Sequence, residues 1–387
     1  MEAYLDNAAT TKVSAVVLEK MNQVYCLDFG NPSSMHKKGM EAEQYIKEAK
    51  QKISSILKCE PSEITFTSGG TESNNMALIG TALANKRVGK HIITTRIEHA
   101  SVYEPLLFLE EMGFEISFAP VDEGGRVDID TLVSMVREDT ILVSVMYVNN
   151  EIGCVEPISE IGKKIKEKNP KVLFHVDAIQ AFGKIKIQPA KEGIDLLSVS
   201  GHKIHGPKGS GFLYIKNKTK IRPILHGGGQ EKGMRSGTEN VPAIAGLSEA
   251  SVFMYQNLEA NRNHLYELKE LLKEKLEHVE GVTINGIPNG DVRATAPHIL
   301  SASFSGVRSE VLLHALEEKG VYVSSGSACS SNHPDISGTL VAIGVKKELL
   351  DATLRFSFSV ETTKEEVEYA AQCVANLLPQ LRRFFRK

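Results

Sequence analysis

Residues 171–215 read KVLFHVDAIQAFGKIKIQPAKEGIDLLSVSGHKIHGPKGSGFLYI, with three short apolar runs at 172–177, 196–200 and 211–215. The first is apolar almost throughout instead of alternating, the texture of a strand covered on both faces of its sheet. Further strand candidates lie upstream at 64–67, 91–95, 115–120 and 141–148, and the last, ILVSVMYV, has the same texture. Helical patterns lie between most of these runs, including 129–137 and 158–166. In the segment that begins at residue 41, Ile46, Ala49, Ile53, Ile56 and Leu57 mark one helical face. Strand alternating with helix predicts an α/β fold around a mostly parallel, seven-stranded sheet.

The texture changes after HGGGQEKGMRSGTEN at 226–240. A helical pattern runs from about 243 to 279, with Leu265, Leu268, Leu272 and Leu276 on one stripe. Short strands VTIN, HILSASF, VYVSSG and LRFSFS then alternate with helices, and the pattern at 362–384 is helical again. Its basic end, LRRFFRK, suits a helix C-terminus better than a nucleic-acid patch. The expected organisation is a large α/β domain at 1–250 and a smaller α+β domain at 251–387. The first ~15 residues are free to pack on either.

Composition narrows the function classes. Hydrophobic residues at 42% and charged residues at 24% exclude a disordered tail, a collagen-like fibre and a long coiled coil. Lys plus Arg is 45 against 48 Asp plus Glu, a net charge of -3 that offers no global attraction to nucleic acid or anionic membrane. Cys26, Cys59, Cys154, Cys329 and Cys373 are scattered and form no C-x-x-C pair, which argues against a disulfide framework and a zinc site. MEAYLDNAATTKV has no basic stretch followed by an apolar core, and no apolar run approaches the ~20 residues that span a bilayer. The expected location is the cytoplasm, with no membrane partner.

Ligands of open α/β sheets bind beyond the carboxyl ends of the strands, and unusual polar groups sit there. In ITFTSGGTESNN, Gly69 and Gly70 allow close backbone approach and Thr71 opens a helix whose free N–H groups suit a phosphate. The same residues also make an ordinary turn and cap. Asp177 ends a buried strand, with Gln180 three residues on; it is either a helix cap or a carboxylate awaiting a partner. Ser200, His202 and Lys203 follow the next strand, where Lys203 is either a Schiff-base lysine or a solvated one. His202 and His205 have helical metal-ligand spacing, but Gly-Pro-Gly surroundings disfavour a helix, so no metal is expected. GPKGSG precedes a strand, so it is not a dinucleotide fingerprint. His99 follows HIITT and can stack on a flat ring or move a proton; Asn149 and Asn150 end another strand. Cys329, in SSGSACSSNHP, is predicted on an exposed loop as a reactive thiol. Phosphate cradle, carboxylate, lysine and imidazole together fit pyridoxal 5'-phosphate.

The motifs YLDNAATT, FGNPSSMH, TSGGTESNN, IEHAS, NNEIG, HVDAIQ, SGHKIHGPKG, HGGGQEKGMRSGTEN, SSGSAC and LRFS occur in that order over nearly the whole chain. The chain resembles the NifS/IscS-like cysteine desulfurases of the class V aminotransferase family, which are fold-type I pyridoxal phosphate enzymes. The resemblance implies that Lys203 carries the cofactor and moves protons, and that His99 stacks on its ring as an acid/base. Asp177 would partner the ring nitrogen and Gln180 the phenolic oxygen. Gly70, Thr71, Ser200 and His202 match phosphate-binding positions, and Thr238 matches a threonine that reaches the phosphate of the other subunit of a homodimer. Asn150 and Arg355 would hold the substrate carboxylate, and Cys329 would receive the sulfur.

The implied reaction converts L-cysteine to L-alanine with a persulfide left on Cys329. A selenocysteine lyase, an aminotransferase and a non-catalytic cofactor-binding scaffold are the competing readings, and Cys329 argues against the aminotransferase. Housekeeping desulfurases usually carry a further C-terminal segment for docking the iron–sulfur scaffold, whereas this sequence ends at FFRK. The expected acceptor is therefore a dedicated protein such as a tRNA-thiolation enzyme, ahead of the scaffold, without direct nucleic-acid binding.

Overall fold

The computed structural model describes residues 1–325 and 336–385. After the short strand β1 (Ala3–Tyr4) come β2 (Ile64–Thr67), β3 (His91–Thr95), β4 (Glu115–Ala119), β5 (Thr140–Met146), β6 (Leu173–Asp177), β7 (Leu196–Ser200) and β8 (Gly211–Ile215). The last seven form one sheet in the order β2-β8-β7-β6-β5-β3-β4. Only β8 is reversed, pairing antiparallel with both β2 and β7. The carboxyl ends of the other six strands therefore share one edge. Phe174 and Val176 on β6 are fully buried, as their apolar run requires.

Helices α1 (Ala15–Cys26), α2 (Lys37–Leu57), α3 (Gly70–Asn85), α4 (Ala100–Glu111), α5 (Ile129–Ser134), α6 (Ile158–Lys168) and α7 (Val241–Gln256) cover this sheet. On α2 the buried stripe is Ala42, Ile46, Ala49, Ile53 and Leu57, at the spacing of one helical face. α1 and α2 both pack on α7. α7 is apolar and small on most sides because it is covered on both; a Cβ at Gly246 would sit 2.8 Å from Met21 Cγ.

The helical pattern at 243–279 is not one helix. The chain breaks at Asn257 (φ -122°, ψ 32°) between α7 and α8 (Leu258–Glu277). α7 belongs to the core beneath the large sheet, whereas Leu265, Leu268, Leu272 and Leu276 of α8 face a second core. Two stripes aimed at different cores cannot lie on one straight rod.

That second core is roofed by a four-stranded antiparallel sheet. Its strands come from β9 (Val282–Asn285), β10 (Ile299–Phe304), β12 (Ser324–Ser325) and β13 (Thr353–Ser357), in the order β12-β13-β10-β9. The run VYVSSG also divides: β11 (Val321–Tyr322) leaves this sheet and pairs in parallel with β1, while β12 pairs with β13. α8, α9 (Ser309–Glu317) and α11 (Lys364–Phe385) pack around the sheet, and α10 (Gly338–Ala342) lies nearby against Ile152 and Cys154. No described helix is long and apolar enough to cross a membrane.

The N-terminal residues join the two sheets. Ala3 and Leu5 are fully buried in the second core. Asn7 Nδ2 donates to the Ser357 carbonyl (3.1 Å), and the Ala8 amide donates to Ser357 Oγ (2.8 Å). Three residues later the Thr11 amide and hydroxyl both donate to the His202 carbonyl (2.8 and 2.9 Å), and Thr11 Oγ1 accepts from the His205 amide (2.7 Å). Residues 6–11 are thus a strap anchored on both sheets. Leu5→Ala removes the strap's apolar anchor and should cost about 2–5 kcal/mol. The check is the urea midpoint, which should fall; an unchanged midpoint would mean that the anchor is not packed.

Candidate active site

A cavity of about 380 Å³ lies at the shared carboxyl edge of the large sheet. The strand ends contribute Met146, Asp177 and Ser200; the segments just beyond contribute Gly70, Thr71, His99, Asn150, Gln180, His202 and Lys203. The strap adds Asp6, Ala8 and Ala9, and the second sheet adds Ser324 and Arg355. Ten of the twelve residues singled out from the sequence therefore meet in one place. Thr238 does not line this cavity and lies exposed in the segment before α7. Cys329 lies outside the described residues.

Asp177 is the last residue of β6 and is buried. Its Oδ1 accepts from the Ile179 amide (3.0 Å) and its Oδ2 from Asn74 Nδ2 (2.8 Å). It caps a turn and is also a buried carboxylate, so both readings of the residue apply. Burial raises its pKa, and these two hydrogen bonds with nearby His99 and Lys203 oppose the rise. Gln180 donates to the Ala8 carbonyl (2.9 Å) and its Oε1 pairs with His298 Nε2 (3.1 Å), which holds the amide over the same floor.

Lys203 ends a 3-10 turn, Gly201–Lys203, directly after β7. Its Nζ donates to the carbonyls of Ala8 (2.6 Å) and Ala9 (2.7 Å) on the strap. Beneath it, buried Lys184 donates to the Lys203 carbonyl (2.7 Å); burial first and Lys203 second lower the Lys184 pKa to about 7. His202 Nδ1 meets Thr10 Oγ1 (3.2 Å), and burial among Lys203, Lys208 and Lys184 lowers its pKa to about 4. His205 turns away to the Lys12 carbonyl, so the two histidines do not converge.

At the opposite wall α3 begins against Ser200. A Cβ on Gly70 would lie 2.1 Å from Ile179 Cδ1, and one on Gly69 3.7 Å from Ser200 Oγ. Gly69 itself adopts φ +150°, which glycine accepts without strain. The result is a helix N-terminus with a bare backbone, flanked by hydroxyl groups. Arg355 closes the far side: Nη1 donates to the Asn150 carbonyl (2.8 Å), Nη2 to Asp6 Oδ1 (2.9 Å), and buried Nε has no partner.

His99 caps α4. Its Nδ1 accepts from the Ser101 amide (3.0 Å) and meets Ser101 Oγ (2.8 Å). Burial lowers its pKa; Asp177 opposes this, and Lys203 and Arg355 reinforce it. Asp6, Asn74 and Ser101 were not individually legible. Each stands inside a quoted motif, YLDNAATT, TESNN or IEHAS, but a short polar residue beside a catalytic candidate reads equally well as a solvated cap.

The class-V aminotransferase model matches residues 3–370. A cysteine desulfurase IscS of Dictyoglomus turgidum is 44% identical over 98% of this chain and 95% of its own length. A putative cysteine desulfurase IscS 1 of Bacillus subtilis is 45% identical over 98% and 99%. Among solved structures, a NifS-like protein superposes with TM-score 0.92 at 38% identity over 98% of this chain and 100% of its own. SspA in complex with cysteine superposes with TM-score 0.80 at 33% identity over 93% and 100%.

Glu98, beside His99, generates a pH dependence of its own. Its Oε1 accepts from Thr95 Oγ1 (2.7 Å) and the Met146 amide (3.0 Å), while buried Oε2 has no partner. Burial raises its pKa to about 8, with Asp177 adding to the rise. A carboxyl whose pKa is raised on folding contributes stability below the ordinary carboxyl range and loses it as pH climbs through the folded value. Glu98→Gln keeps both acceptor contacts and cannot ionise. Its thermal midpoint should exceed that of the unsubstituted protein by more at pH 8 than at pH 5; an equal offset at both would contradict the assignment.

Proposed function

The chain belongs to the class-V aminotransferase family and, within it, to the cysteine desulfurases, and we propose that the cavity converts L-cysteine to L-alanine with Cys329 as the sulfur acceptor. The observation that carries this reading is the convergence of Lys203, Asp177, His99 and Arg355 on one cavity. A binding scaffold would not require a lysine, a buried carboxylate and an imidazole to meet. The names of the relatives favour the desulfurase over the aminotransferase and selenocysteine lyase alternatives.

The residues fit pyridoxal 5'-phosphate. Asp177 is a buried carboxyl whose hydrogen-bond partners are neutral groups, suited to a protonated ring nitrogen. The α3 N-terminus with Gly70, Thr71, Ser200 and neutral His202 offers donors to a phosphate at a point where side-chain bulk is excluded. Gln180, fixed by its own hydrogen bonds, would offer its amide to the ring's phenolic oxygen, and Lys203 would supply the amine that carries the cofactor. When bound, pyridoxal phosphate supplies a carbonyl that condenses with amines and an electron sink for charge at Cα.

The chain's own residues do the rest. Arg355 and Asn150 orient the substrate α-carboxylate; a guanidinium fork suits that group, and displacing Asp6 frees one of its arms. Lys203 and His99 move protons above the floor made by Asp177. The Cys329 thiolate takes the substrate sulfur: the substrate C–S bond breaks, an S–S bond to Cys329 forms, and the carbon left behind is protonated to give L-alanine.

The same reading divides the chain near residue 250, with 1–250 holding the cofactor and 251–387 carrying Cys329 and Arg355. It makes the enzyme a cytoplasmic homodimer in which Thr238 serves the partner's phosphate. Exposed Leu27, Phe29 and Met35, on the connection from α1 to α2, support a covered face in the assembly. The persulfide then passes to an acceptor protein, a tRNA-thiolation enzyme or an iron–sulfur scaffold.

Borohydride reduction of the pyridoxal phosphate-loaded protein should leave the pyridoxyl group on Lys203, read by peptide mass mapping. Attachment at Lys208 or Lys184 would refute the site. Cys329→Ala should retain the cofactor absorbance and lose sulfide and alanine turnover by at least ~100-fold. Undiminished turnover would remove Cys329 from the reaction.

A further inference from the structure

Asn74 on α3 stands between two groups of the cavity. Its Nδ2 lies 2.8 Å from Asp177 Oδ2 and 2.9 Å from Ser101 Oγ, so its two amide hydrogens are both committed. Its Oδ1 is buried and has no partner. Flipping the amide would not help while Asp177 is ionised, because it would set oxygen against oxygen. The carboxylate therefore dictates which way Asn74 points.

The consequence travels one residue further. Ser101 Oγ receives a hydrogen from Asn74, and because the Ser101 amide makes His99 Nδ1 an acceptor, the hydroxyl hydrogen is directed to that nitrogen at 2.8 Å. The Ser101 amide donates to the same Nδ1 at 3.0 Å. A ring nitrogen that accepts from two donors carries a lone pair, which leaves the proton of neutral His99 on Nε2. We infer that Asn74 and Ser101 are positioning residues that hold His99 as its neutral Nε2–H tautomer and link it through hydrogen bonds to Asp177. The chemistry served rests on the proposed function; the tautomer itself does not.

Protonating His99 at Nδ1 sets an N–H against the Ser101 amide and requires the Ser101 hydroxyl to turn. Asn74, whose amide hydrogens go to Asp177 and Ser101, occupies one lone pair of that hydroxyl and narrows the turn. The charged groups around His99 act in the same frame: Lys203 after β7 and Arg355 on β13 disfavour its protonation, and Asp177 on β6 favours it. Glu98 precedes it in the chain and is neutral below about pH 8. The relay thus opposes by geometry what Asp177 promotes by charge, and His99 stays an unprotonated ring with a proton available at Nε2.

The test is long-range ¹H–¹⁵N NMR of histidine-labelled, pyridoxal phosphate-loaded protein, with His99 assigned by its loss in His99→Gln. The unsubstituted protein should show the Nε2–H tautomer at pH 7. Ser101→Ala and Asn74→Ala should each admit Nδ1-protonated forms, move the acid limb of the kcat profile to higher pH, and lower kcat about three- to tenfold. Ser101→Thr keeps the hydroxyl and should restore all three. If Asn74→Ala does not fold, Ser101→Ala and Ser101→Thr carry the test alone. An Nδ1–H tautomer in the unsubstituted protein, or an unmoved tautomer and acid limb in the variants, overturns the relay. An intact Nε2–H signature without alanine formation from cysteine overturns the proposed function and leaves the relay standing.

Discussion

A carboxylate at the buried end of a central strand has lost its water and must be compensated by the groups around it. Asp177 is in that position, and much of the cavity is that compensation. β6 lies between β5 and β7, so no solvent reaches Asp177 from the sheet. Donors come from its own turn through Ile179 and from α3 through Asn74, with Lys203 and His99 adding their fields. Because Asn74 also reaches Ser101, the carboxyl is connected to the α4 N-terminus and to the imidazole that caps it. One buried carboxyl thereby joins β6, α3 and α4.

The second constraint is the strap. Residues 6–11 run from the small sheet to the turn after β7, and their carbonyls receive the Lys203 ammonium. The same segment presents Asp6 to Arg355. Amine and guanidinium, which come from different sheets, are thus spaced by a single stretch of backbone. This is why the N-terminus, although it pairs with β11, belongs to the site as much as the strand ends do.

The large sheet was legible because strands buried on both faces write nearly continuous apolar runs, as β5 and β6 do. The helical stripe across 243–279 concealed the break at Asn257, because local periodicity says nothing about which core a face will meet. VYVSSG read as one strand for the same reason: β11 and β12 differ only in their partners. In the site, Lys203, Asp177 and His99 stood out as polar groups at strand ends. Asp6, Asn74 and Ser101 did not, since their importance comes from burial and from long-range contacts that no spacing encodes. Thr238 does not line the cavity of its own chain.

In the proposed function, Asp177 is the group that receives the cofactor's ring. The direct measurement is equilibrium titration of the apoprotein with pyridoxal phosphate, comparing the unsubstituted chain with Asp177→Asn, which keeps the volume and removes the charge. Circular dichroism should confirm that both are folded. Loss of a buried, charge-assisted pairing predicts affinity weakened by ~10- to 100-fold or more in the variant. Equal affinity in two folded proteins would contradict the account at its centre.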